Sequence, residues 1–164
     1  VAGVSSCPWE SGTLPRDGVQ LTADQLTMVD VPEDQAATFR LTLGNTGQNN
    51  EIREYRLDAL PGTNPDGAWI MINGIPISSL EPYRIPDSGS FDQTLTVRRG
   101  TTAFDYENLG IVMRSTCDIA VAVKLSLTVR FESSCSEMDL ENIDDGWIVN
   151  SGSNNKLAFT VTAC

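Results

Sequence analysis

Cys117-Asp118-Ile119-Ala120-Val121-Ala122-Val123-Lys124-Leu125-Ser126-Leu127-Thr128-Val129-Arg130-Phe131 is the stretch whose reading decides the fold. From Ile119 the odd positions are Ile119, Val121, Val123, Leu125, Leu127, Val129 and Phe131; the even ones are Ala120, Ala122, Lys124, Ser126, Thr128 and Arg130. Side chains alternate across a strand with period two, so the segment predicts a long strand with one apolar and one largely polar face. A helix would scatter the same residues around its circumference, and the β-branched content also favours a strand. The apolar face needs a second sheet to cover it, and that need sets the architecture.

Upstream, the same period recurs in shorter pieces. Val19–Thr22 and Leu26–Val31 read as strands, with a helical turn over Thr22–Leu26, capped by Thr22, as the alternative for the first corner. Phe39, Leu41 and Leu43 alternate with Arg40 and Thr42, and Tyr55, Leu57 and Ala59 alternate with Glu54, Arg56 and Asp58. Trp69-Ile70-Met71-Ile72 runs into Asn73-Gly74, the pair that favours a type I′ turn, and Pro76 confines the return strand to a sheet edge. Leu80–Ile85, Phe91–Arg98 and Leu109–Met113 complete the series before the decisive stretch.

After Phe131 the chain is acidic and irregular to Gly146. Trp147-Ile148-Val149 and the alternation of Leu157, Phe159 and Val161 then suggest a C-terminal hairpin. About nine short strands, separated by Gly, Pro, Asn and Asp turns every 8–15 residues or so, point to an all-β, two-sheet antiparallel sandwich. Residues 1–18 carry Gly and Pro without periodicity and read as an irregular N-terminal arm. Residues 19–164 read as a single sandwich domain, with 133–164 as an extension packed on it.

The chain has 164 residues and 40% hydrophobic content, enough for a buried core and too apolar for disorder by composition. No apolar run approaches the roughly 20 residues of a membrane helix, so no membrane insertion is expected. Val1-Ala2-Gly3-Val4 has no basic n-region and is not read as a signal peptide; it is expected to follow a processing site or a cut from a longer chain. The formal net charge is −11 with no histidine. That balance opposes nucleic-acid binding and adsorption to anionic lipid, both of which need clustered Lys and Arg.

Cys7, Cys117, Cys135 and Cys164 are an even set without CxxC spacing. Without histidine, a zinc centre would need all four widely spread thiolates, so two disulfides in an oxidising, extracellular setting explain them better. Each bond would stabilise by about 3–5 kcal/mol if it acts by restricting the unfolded chain. Four cysteines allow three connectivities. If the last strands meander back and forth, Cys164 returns to the end of the sheet that holds Cys135, which favours Cys135–Cys164 and Cys7–Cys117.

Phe39-Arg40-Leu41-Thr42-Leu43-Gly44-Asn45-Thr46-Gly47, then Thr94-Leu95-Thr96-Val97 and the long alternating strand, resemble Ig-like repeats of the CARDB and DUF11 type. The resemblance runs from about Phe39 to Phe131 and implies an immunoglobulin-like sandwich. It also implies a setting in large secreted or surface-attached bacterial proteins, where such repeats serve as spacers and as adhesive or assembly units. The family brings no catalytic residues.

The absence of histidine removes Ser-His-Asp and Cys-His nucleophile pairs and the two-histidine iron site. No GxGxxG, Walker or GxSxG motif occurs. A glycosidase needs only two carboxylates, such as Asp105 with Glu107, but any acidic surface offers such pairs. Asp139, Glu141, Asp144 and Asp145 could gather around calcium, although their spacing is not that of an EF-hand and a solvated acidic loop is the plainer reading. Trp9, between Pro8 and Glu10 on the arm, is the tryptophan expected to be exposed and the candidate for stacking on a sugar or a neighbour. Trp69 and Trp147, beside apolar residues, are expected to pack.

Together these features predict a non-enzymatic extracellular structural or assembly module of a surface protein, stalk or filament, without a cofactor. Its partners would be proteins, including neighbouring copies or modules of itself. An arm spanning Val1–Gly18 that added to a neighbour's open edge would join subunits head to tail; one that folds back on its own sheet is the plainer reading. The alternative function is a carbohydrate-binding or calcium-dependent adhesive module.

Overall fold

A computed structural model describes residues 18–47 and 52–133. The chain divides into two units, Val1–Glu132 and Ser133–Cys164, and everything described except Ser133 belongs to the first. Cys7, Cys135, Cys164, Trp9, Trp147 and the acidic set Asp139, Glu141, Asp144 and Asp145 lie outside the described residues, as do most of the arm and the C-terminal extension.

The described residues form ten strands. They are β1 (Val19–Ala23), β2 (Thr27–Pro32), β3 (Ala36–Asn45), β4 (Arg53–Ala59), β5 (Trp69–Ile72), β6 (Ile75–Pro76), β7 (Tyr83–Ile85), β8 (Ser90–Arg98), β9 (Asp105–Ser115) and β10 (Ala122–Glu132). A single 3-10 turn at Ile77–Ser79 is the one helical element among the described residues. Two five-stranded sheets result, one ordered β1-β3-β8-β5-β6 and the other β2-β10-β9-β4-β7. This is an all-β, Ig-like two-sheet sandwich. Phe39, Leu41 and Leu43 of β3, Leu95 and Val97 of β8, Leu57 of β4, Ile111 and Met113 of β9, and Leu127 and Val129 of β10 meet between the sheets, each at most 1% exposed.

Two details depart from the sequence reading. The long strand begins at Ala122, whereas the alternation suggests Ile119. Ser115 Oγ accepts hydrogen bonds from the backbone N–H groups of Cys117 (3.1 Å) and Asp118 (3.2 Å), and Asp118 Oδ1 accepts from Ala120 N–H (3.0 Å). These local bonds fold residues 116–121 into the β9–β10 connection and leave Ile119 79% exposed. The sheets are also not wholly antiparallel, because β2 runs parallel to β10. β1 pairs with β3 in one sheet, and the chain then turns a corner into the other. Asp24 Oδ1 accepts from Gln25 N–H (2.9 Å) and Arg40 N–H (3.0 Å), and this side chain, rather than a helical turn capped by Thr22, makes the corner.

Asn45 fastens one sheet to the other. It is 2% exposed at the end of β3, donates from Nδ2 to the Ile85 carbonyl of β7 (3.1 Å) and accepts at Oδ1 from Gly47 N–H (2.9 Å). The Tyr55 hydroxyl of β4 lies 2.8 Å from both Asn45 Oδ1 and the Gly18 carbonyl, one proton serving two acceptors. β3 thus runs on through Gly44 to Asn45, and its last residue bridges the layers. Burying such an amide is tolerable only because both ends are satisfied.

Candidate functional site

The exposed face of β5 is built from the loop before it and the turn after it. Asn64 exchanges two hydrogen bonds with Ala68, Nδ2 donating to its carbonyl and Oδ1 accepting from its N–H, each 2.8 Å. Gly100 lets this loop approach β8: a Cβ there would lie 2.8 Å from the carbonyl oxygens of Asp66 and Gly67. At the other end Asn73 and Gly74 both have positive φ (51° and 79°), as a type I′ turn requires. Asn73 Nδ2 donates to Gln93 Oε1 (3.0 Å) and ties the turn to β8.

Between those anchors the period of two decides which side chains emerge. Ile70 and Ile72 enter the core, so Trp69 and Met71 stand on the outer face. Trp69 is opposite Arg98, which is opposite Ala36; Met71 is opposite Thr96 on one side and Pro76 on the other, and Thr96 is opposite Thr38. The result is an apolar group of Trp69, Met71 and Pro76 at the sheet edge, continuing into Arg98, Thr96 and Thr38. Trp69 is 61% exposed. The expectation that it packs is therefore corrected: its apolar neighbours on the chain are the residues that face inward and push it outward. The two isoleucines at alternate positions were the signal that could have revealed this.

The same face carries a compact polar cluster. Thr42 donates to Asp92 Oδ1 (2.6 Å), and Arg40 donates from Nε to Oδ2 (3.0 Å) and forms an ion pair with it through Nη2. The Thr42 hydroxyl, and then the Arg40 guanidinium, hold the Asp92 carboxyl below the ordinary aspartate range. At the end of the sandwich near Asn45, Tyr83 and Phe91 pack with ring centres 5.3 Å apart, and burial raises the Tyr83 hydroxyl above the ordinary tyrosine value.

Of the other residues singled out by sequence, Cys117 is half-buried in the β9–β10 connection and disulfide-bonded. Its partner lies outside the described residues. Asp105 and Glu107 are both exposed on β9, and Glu107 accepts from Arg130 Nη2 (2.9 Å). No group of three or more metal-ligating side chains occurs among the described residues. No helix among them is long and apolar enough to cross a membrane.

Neither a protein-family model nor a curated protein matches the chain. Solved structures do, at low identity. The PapD-like domain 7 of human CEP192 is 13% identical over 73% of this chain and 87% of its own, with a TM-score of 0.44. Self-complemented MyfA, the major subunit of Myf fimbriae from Yersinia enterocolitica, is 15% identical over 71% of this chain and 99% of its own, with a TM-score of 0.44. The E. coli chaperone DraB is 14% identical over 70% of this chain and 55% of its own, with a TM-score of 0.42. Parts of the S-layer protein SbsC and of the secreted serine protease VesC from Vibrio cholerae match as well. The neighbours thus include a fimbrial subunit, a chaperone and S-layer domains together with part of a protease. The fold assignment itself rests on the strand pairing described above.

Proposed function

We propose that the chain is a non-enzymatic extracellular structural or assembly module, one link of a surface protein, stalk or filament. It joins a neighbouring copy through the outer face of β5. The observation that carries this reading is the exposure of Trp69 on a rigid strand beside Met71 and Pro76. A tryptophan held by a strand supplies a large contact area with little entropy to lose, and such residues are the commonest anchors of protein interfaces. The resemblance of Phe39–Gly47 and the later strands to CARDB and DUF11 repeats agrees with a spacer or assembly unit. So does the staple at Cys117, for which we favour pairing with Cys7, leaving Cys135 with Cys164. Peptide mapping under non-reducing conditions tests that pairing; a Cys117–Cys135 or Cys117–Cys164 peptide would refute it.

We keep residues 1–18 as an arm and 133–164 as an extension of the same domain. Electron microscopy of the purified chain tests the assembly reading, which expects ordered oligomers or filaments from wild type and their loss on Trp69→Arg. Single particles at every concentration would contradict it. Trp69 beside Arg98 also favours a second reading, a carbohydrate-binding adhesive module, because a flat exposed ring next to a guanidinium suits a sugar. A glycan array separates the two. Binding lost on Trp69→Ala or Trp9→Ala supports the adhesive reading, and a blank array supports assembly. Calcium enters only through Asp139, Glu141, Asp144 and Asp145; no heat in isothermal titration and no shift in Tm removes it.

A further inference from the structure

The outer face of the second sheet carries five of the chain's 11 basic side chains, Arg56, Arg84, Arg114, Lys124 and Arg130. Arg84 meets Glu54 (3.2 Å) and Arg130 meets Glu107 (2.9 Å), but the middle of the face is different. Arg56 and Arg114 stand directly opposite each other across β4 and β9, an arrangement of like charges that destabilises a pair of strands. Lys124 comes next on β10, opposite Val112, which faces Asp58 on its other side. Val112 is 2% exposed and gives the patch an apolar floor.

Asp58 is the only carboxylate within ion-pair distance of this trio among the described residues, 3.7 Å from Arg56 Nε. Neither Arg114 nor Lys124 has a carboxylate within ion-pair distance among those residues. Arg114 Nε is buried and has no hydrogen-bond partner among the described residues. Two guanidinium groups and an ammonium with one carboxylate in ion-pair reach leave the middle of the face positive, and the group that balances it is an oxyanion.

We propose that Arg56, Arg114 and Lys124 form a carboxylate-binding patch that receives an acidic surface of a second copy of this chain. The chain itself supplies the complement, with 22 acidic against 11 basic side chains and a net charge of −11. At physiological salt the repulsion between two such chains is screened beyond about 8 Å, so short-range pairing at the patch outweighs it. This inference rests on the assembly reading and adds a second contact to it, on the sheet that does not carry Trp69.

Sedimentation velocity over a concentration series tests it with four proteins: wild type, Arg114→Gln, Lys124→Gln and Trp69→Arg, each checked for an unchanged β-sheet dichroism spectrum. The patch predicts that wild type self-associates in 0.1 M NaCl. It also predicts that Arg114→Gln and Lys124→Gln each weaken association, Arg114→Gln on the order of thirtyfold, and that 1 M NaCl has the same effect. Association that survives both variants and high salt but fails in Trp69→Arg overturns the patch and leaves the assembly reading standing. A wild type that stays monomeric throughout overturns both.

Discussion

Asn45 and Tyr55 show how much one polar pair can hold. Asn45 Nδ2 and Oδ1 reach β7, β4 and the Gly47 backbone at once, and Tyr55 is fully buried. Removing the amide leaves the Tyr55 hydroxyl and the Gly47 N–H with one acceptor fewer, in a place water does not reach. Asn45→Ala should therefore cost about 1–3 kcal/mol in urea unfolding, the penalty for stranding buried polar groups. Asp92 offers the opposite case, a carboxylate in the open. Its folded pKa is depressed, so its stabilising effect is present above the unfolded carboxylate pKa and lost as pH falls through the folded one. Asp92→Asn should be less stable than wild type at neutral pH, and the two should converge on acidification. A difference that persists in acid would mean that the Thr42 and Arg40 contacts do not act through the charge.

At the scale of single elements, β10 makes the most specific predictions. Leu127 is fully buried and Ile119 is 79% exposed, although both belong to one unbroken alternation in the sequence. Leu127→Ala should cost about 2–5 kcal/mol, as large-to-small changes in a packed core do. Ile119→Ala should change stability by no more than about 0.5 kcal/mol. A large loss at Ile119 would restore the longer strand that the alternation suggests. In the β5–β6 hairpin Gly74 has φ 79°, so Gly74→Val should destabilise by roughly 1–2 kcal/mol through the left-handed backbone alone.

What the sequence made legible here was phase. The strands and their inward residues follow from period two, and Asn73-Gly74 announced its own turn. Strand ends and partners were less legible, because they depend on contacts between distant residues. The start of β10 is set by the Ser115 and Asp118 hydrogen bonds. The parallel seat of β2 follows from the corner that Asp24 makes with Arg40, 16 residues away. The bridging role of Asn45 was not legible, because it needs β4 and β7 beside it. Trp69 could have been placed from Ile70 and Ile72, but the apolarity of its neighbours suggested burial.

For the molecule as a whole, the informative features are on its two outer faces. One sheet presents Trp69, Met71 and Pro76 at its edge, and the other presents Arg56, Arg114 and Lys124 over Val112. Three of the four sheet edges are made unsuitable for promiscuous pairing, the fourth being β1: β6 holds two residues including Pro76, β7 is three residues bracketed by Pro82 and Pro86, and β2 carries Asp30 in positive φ and ends at Pro32. In the proposed assembly, association uses the faces, where side chains select the partner. The most direct test of that account is the sedimentation coefficient of wild type against Trp69→Arg across a hundredfold range of concentration. The account predicts a coefficient that rises with concentration in wild type and stays flat in the variant. Two flat, coincident profiles would contradict it.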